Sequence, residues 1–164
     1  QFNQGLIKYI QYFEKSKLSQ FKKMTMGVQK CILRLINEGH NDLMMLALNH
    51  RLFTNLTEVL RRSIEMNQNL IGQYIIENFK EEVDFRRIGE YCIDYQNISL
   101  LDRISCHLNR EDFDYLLSYT KVNDLDAMLY LVKKGARLNN KHYNLDTFDK
   151  MNKIIDHLVQ SEEN

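Results

Sequence analysis

The sequence predicts an all-α fold: an array of antiparallel helical hairpins stacked side by side. Three observations predict it. A corner made of a polar residue, then Asn or Asp, then Leu or Ile recurs at Asn41-Asp42-Leu43, Gln68-Asn69-Leu70, Gln96-Asn97-Ile98 and Asn123-Asp124-Leu125. The third residues of these corners stand 27, 28 and 27 apart, and a steady period of this size marks a stacked repeat. The corner at 123–125 parts two runs at helical spacing, Tyr115, Leu116 and Tyr119 before it and Leu125, Met128, Leu129, Leu131 and Val132 after it. Proline is absent, so helices run uninterrupted and loops must turn on Gly, Asn or Asp. A single hairpin cannot bury its apolar face alone, so neighbours must stack.

Asn3 to Phe13 resembles Asn67 to Phe79, so the chain is expected to open on the second helix of a repeat and to be a segment of a longer chain. Glu14 to Lys23 is polar and reads as a loop. From Thr25, Cys31, Ile32, Leu35 and Ile36 line one helix face, and Glu38-Gly39-His40 closes it. Asn41 is expected to cap the next helix, from Leu43 to Asn49. Asn55 and Glu58 fit a capping box ahead of the stripe Val59, Leu60 and Ile64. Leu70, Tyr74, Ile75 and Phe79 follow on the partner helix. Ile88, Cys92, Leu101 and Ile104 supply the next core layer, and Asn109 to Asp112 opens the fourth hairpin. Leu33, Leu60, Ile64, Ile88, Leu116, Leu129 and Leu131 are expected in the core. Lys133-Lys134-Gly135 reads as a helix end, with lysines at its negative pole and glycine in the left-handed cap. Asn140 to Asn144 is a polar loop. Leu145, Phe148, Ile154, Ile155, Leu158 and Val159 then predict a terminal capping helix over 145–160, whose outer face should be polar. The whole of 1–164 reads as one repeat-array domain.

Asp114 to Asn139 resembles an ankyrin repeat, with Gly135-Ala136-Arg137-Leu138-Asn139 standing where that family has Gly-Ala-Asp-Val-Asn. Asp114-Tyr115-Leu116-Leu117 replaces the family's Thr-Pro-Leu-His opening, and the period is about five residues shorter. Short, degenerate hairpins of this kind, with phrases such as Gln68-Asn69-Leu70-Ile71, resemble the multigene families of African swine fever virus. That resemblance implies a viral protein in the host cytoplasm that binds innate-immune signalling proteins.

Composition narrows the function. The 164 residues carry a formal net charge of +0, which removes any global attraction to nucleic acid or an anionic membrane. No apolar run approaches the roughly 20 residues needed to span a bilayer. The three cysteines, Cys31, Cys92 and Cys106, lack CxxC spacing and read as buried, reduced thiols of a cytosolic protein. The five histidines form no HExxH, and Cys106-His107 diverge on a helix, so neither a metal site nor a Cys-His nucleophile is expected. The six glycines are scattered and make no phosphate loop. The expectation is therefore a protein without catalysis, cofactor or metal.

Arg61-Arg62 and Arg86-Arg87 lie on the first helices of their hairpins, and Lys22-Lys23, Lys30 and Arg34 extend the basic character. Two readings stand beside each other. The arginines belong to a solvated face paired with Glu58, Glu65, Glu90 and Asp94, or they form an exposed, slanted strip that meets a protein partner. In the second reading the surface comprises Arg61, Arg62, Arg86, Arg87, Glu90, Tyr91, Asp94 and Tyr119, since Tyr and Arg commonly anchor interfaces. A nucleic-acid binder using the same arginines is an alternative that the neutral balance disfavours. A further alternative is an architectural segment docking onto other repeats of its own chain.

Overall fold

The computed structural model describes residues 4, 5, 8, 26–52, 55–139 and 146–163. Nearly all of the opening helix expected at 3–13, the loops expected at 14–23 and 140–144, Thr25 and Leu145 lie outside them, as do the side chains of Cys31 and Ile32. The elements are α1 (Met26–Asn37), α2 (Asn41–Asn49), α3 (Leu56–Glu65), α4 (Asn69–Asn78), α5 (Phe85–Asp94), α6 (Ile98–Ile104), α7 (Arg110–Tyr119), α8 (Leu125–Lys133) and α9 (Thr147–Glu162). Short 3-10 turns stand at Lys80–Glu82 and Ser105–His107. Among the described residues there is no strand. The chain divides into two compact units, Gln1–Val83 and Asp84–Asn164. In the first, α1 packs on α2 and α3 on α4, while α1 also meets α3 and α2 meets α4. In the second, α5 packs on α6, α7 on α8, α5 against α7, and α9 against α8.

One turn recurs at helix ends. Gly39, Arg51, Asn67, Gln96 and Gly135 all have left-handed backbones, with φ of 72°, 53°, 54°, 54° and 93°. The residue after each sends its N–H back to a carbonyl five residues earlier: His40 to Leu35, Leu52 to Ala47, Gln68 to Ser63, Asn97 to Cys92 and Ala136 to Leu131. This is the Schellman closure, which satisfies carbonyls that the helix cannot. Gly39, Asn67 and Gln96 stand 28 and 29 apart, so the structural repeat differs slightly from the spacing of the corner triplets. The triplets slide across the turn. Asn41 lies inside α2, Gln68 is the N-cap of α4, and Gln96 precedes the N-cap Asn97. The third residues therefore miss the core: Leu43, Ile98 and Leu125 are half-buried, and Leu70 is exposed.

Caps follow the short polar residues with two differences. Asp84, Asn97 and Asp124 accept the N–H groups of Arg87, Leu100 and Ala127. The reciprocal capping box is at Asn109 and Asp112, at 2.9 and 3.0 Å. Asn55 accepts from Glu58 N as expected, but the Glu58 carboxylate turns to Arg61. His40, not Asn41, holds the N-cap of α2, and Asn41 Oδ1 is buried without a hydrogen-bond partner among the described residues.

Leu35, Ile36, Leu60, Ile64, Ile88, Cys92, Leu101, Ile104, Leu116 and Leu131 are buried, whereas Leu33 and Leu129 are only half-buried. In the fourth hairpin the buried position is Leu116 rather than Tyr115. Gly89 lets α5 and α7 approach closely: a Cβ there would meet Leu116 Cδ1 at 2.7 Å. Polar bonds between helices repeat at a separation near one hairpin. Arg62 donates to Asn37, Tyr74 to Asn49, Tyr115 to Glu90, Tyr119 to Asp94 and Tyr130 to Asp102. Tyrosine thus packs its ring and ties its hydroxyl to the neighbouring helix.

The second unit closes on two buried polar groups. Asp114 accepts from Arg137 N at 2.6 Å and Asn139 Nδ2 at 2.9 Å, which pins the segment after α8. Lys150 of α9 is fully buried, and its Nζ donates to Leu117 O and Ser118 O at the end of α7, at 3.3 and 2.5 Å. An ammonium there satisfies orphan carbonyls and opposes the helix dipole. This contact sets the orientation of α9. Thr147, Lys150 and Ile154 face inward, while Phe148, Ile155, Leu158 and Val159 are exposed together with Met151. The side away from the inward face carries Asp149, Asn152 and Asp156, and the exposed apolar residues form a stripe between that side and the buried one.

Candidate protein-interaction surface

The second unit holds six of the expected residues on α5 and α7. Asp84 starts α5 by capping it. Ile88, Cys92 and Ile93 then turn inward, leaving Arg86, Arg87 and Tyr91 toward the α5 surface. Arg86 pairs with Asp112 at 2.9 Å, and its guanidinium lies 4.9 Å from the Tyr115 ring centroid. Arg87 pairs with Glu90 at 2.6 Å. Glu90 is buried and also accepts the Tyr115 hydroxyl at 2.7 Å. The Tyr115 and Tyr119 rings stack with centroids 6.3 Å apart, and the Tyr119 hydroxyl reaches Asp94 at 2.8 Å. One connected patch runs Asp112, Arg86, Tyr115, Glu90 and Arg87, with Tyr119 and Asp94 beside it.

Electrostatics follow from these contacts. The Glu90 hydrogen bond, with burial, raises Tyr115 above its ordinary value. Desolvation, followed by the bond to Asp94, raises Tyr119. Hydrogen bonds to Asp112 and Glu90 raise Arg86 and Arg87 in turn. Both arginines thus stay charged and both tyrosine hydroxyls stay protonated at neutral pH. Arg87 and Tyr119 are both accessible, the Arg87 side chain at 59% and Tyr119 at 38%. Glu90 positions its neighbours from below.

In the first unit, Arg61 pairs with Glu58 at 2.6 Å and with Glu65 at 3.6 Å. Arg62 pairs with Glu65 at 2.7 Å and donates to Asn37 at 2.8 Å. The bond from Arg61 pulls the Glu58 carboxyl below the usual range. Arg61, Arg62 and Arg86 are half-buried, and Arg87 alone of the four is largely exposed. Glu58, Glu65 and Glu90 are the acidic partners that the sequence pointed to. Asp94 instead takes the Tyr119 hydroxyl.

Sequence reading missed Tyr115, which bridges Arg86 and Glu90, and Asp112, the acid on the neighbouring helix. The signal was available in the separations of 25 and 26 residues, close to one repeat. Elsewhere, Cys106, expected to be buried, is exposed on the 3-10 turn after α6. It bonds to Arg103 O at 3.7 Å and His107 stacks on Phe85, so the two side chains do not meet in a catalytic pair. Burial pushes the Cys92 thiol up to about 12, which keeps it protonated. Among the described residues no three His, Cys, Asp or Glu gather as a metal site, and no helix is long and apolar enough to cross a membrane. Comparison with family models, with curated proteins and with solved structures gives no match.

Proposed function

We propose that the chain is a non-catalytic protein-interaction module built from ankyrin-like helical hairpins, and that the α5–α7 face is its recognition surface. The observation that carries this reading is the preorganised patch of Arg86, Arg87, Tyr115 and Tyr119. Arg and Tyr are the side chains most enriched among interface anchors. Here their rotamers are already held by Asp112, Glu90 and Asp94, so binding orders less. The pairing of each arginine with an acid supports a protein partner over nucleic acid, because the patch offers little uncompensated positive charge to phosphates. The resemblance to viral multigene-family proteins extends the proposal to a host cytosolic signalling protein as the partner.

The test is affinity capture from cytosol, followed by mass spectrometry, comparing the intact chain with Arg87→Ala/Tyr119→Ala. Both chains should show the same helical circular dichroism, and the variant should lose the captured protein. Equal capture by a folded variant refutes the surface. A complex that weakens steeply with salt and is destroyed by nuclease refutes the protein reading.

A further inference from the structure

We propose that the exposed apolar stripe of α9 is a self-association surface that pairs antiparallel with α9 of a second copy of this chain. Phe148, Met151, Ile155, Leu158 and Val159 are 68%, 45%, 50%, 49% and 51% exposed. They form one stripe along a 16-residue helix of ~24 Å, bordering the face held by Thr147, Lys150 and Ile154. Four of them, at 148, 151, 155 and 158, follow the 3-4 spacing of a coiled-coil seam.

Three features select a second copy as the occupant. The 3-4-3 spacing is palindromic about position 153. An antiparallel copy therefore sets Phe148 against the partner helix's position 158 and Met151 against its position 155, as the self-complementarity of a two-fold interface requires. The size also fits. A large side chain offers ~200 Å², so five about half exposed present about 500 Å². Two such faces bury about 1,000 Å², the lower bound for a specific interface. Charge fits as well. Asp149 and Asp156 lie more than about 100° around the helix from the seam, so they stay in solvent in the pair, and Glu162 and Glu163 at one helix end approach the positive N-terminal end of the other. A lipid surface suits this helix poorly. Its exposed charges are Asp149, Lys153, Asp156, Glu162 and Glu163, an acidic balance that anionic headgroups repel.

The inference is independent of the α5–α7 reading, since the face it uses contains none of that patch. The experiment is sedimentation equilibrium on the full 164-residue chain from 1 to about 200 µM. The parent should move from monomer to dimer within this range. Met151→Glu alone and Ile155→Lys alone should each weaken dimerisation at least tenfold while keeping the parent's helical signal. Their equimolar mixture should re-form a heterodimer, because the new Glu and Lys face each other only in the antiparallel register. A parent that stays monomeric overturns the proposal. So does a dimer that either variant leaves intact, or a mixture that does not re-pair. Binding of a monomeric parent to phosphatidylcholine–phosphatidylserine vesicles, lost in both variants, would assign the face to lipid and likewise overturn it.

Discussion

Replacing Lys150 by Met should destabilise the second unit more than any other single polar change in α9. The side chain is fully buried, and its ammonium serves two carbonyls at the end of α7 and Asp146 at 3.3 Å. Methionine keeps most of the stem's volume, so the packing loss is small. What goes is two charge-assisted hydrogen bonds, each worth about 1.5–3 kcal/mol. The recovered cost of burying the ammonium offsets part of this. The expected net loss is about 2–3 kcal/mol, read as a lower midpoint in urea unfolding at unchanged slope. Lys150→Ala should lose more, since each buried methylene adds about 0.8 kcal/mol. Asp146→Asn should cost under about 1 kcal/mol, because that carboxylate is 36% exposed. If Lys150→Met unfolds within about 0.5 kcal/mol of the parent, the lysine does not hold α9 against the end of α7.

Leu60→Ala should cost about 2–5 kcal/mol in the same assay, since the side chain is 2% exposed in the first unit; a loss under half of one would place it outside the core. Gly89→Ala should destabilise despite alanine's helix advantage of about 1 kcal/mol, because the new methyl meets Leu116, and Leu116→Ala in the same chain should reduce the penalty. Stability should fall as pH rises above about 10. Tyr115, Tyr119 and Tyr130 have raised values in the folded state, so the unfolded chain releases protons first and unfolding gains with pH. Tyr119→Phe should make that alkaline decline shallower, and an unchanged slope would contradict the bond to Asp94.

The helical character was legible because it rests on local signals: apolar runs at 3.6 spacing, Asn and Asp caps, and the absence of proline. The caps at Asn55, Asn109 and Asp124 and the left-handed Gly39 and Gly135 follow from the chemistry of those residues alone. Register was less legible. Asn67 and Gln96 adopt positive φ at equivalent turns, yet neither is glycine, so the corner triplets pointed one or two residues away. The apolar Leu70 misled for a different reason: periodicity identifies a stripe but not what it faces, and Leu70 is exposed. For the candidate surface, sequence gave the arginines and most of their acids. The partners across a repeat, Asp112 and Tyr115, required knowing which helices touch.

The most direct measurement of the recognition claim is hydrogen exchange on the chain alone and bound to its captured protein. The account predicts slowed exchange confined to α5 and α7, over 85–94 and 110–119, with side-chain contacts led by Arg87 and Tyr119. Protection that leaves α5 and α7 unchanged, and falls instead on α9 or on the turn around 39–45, would contradict it.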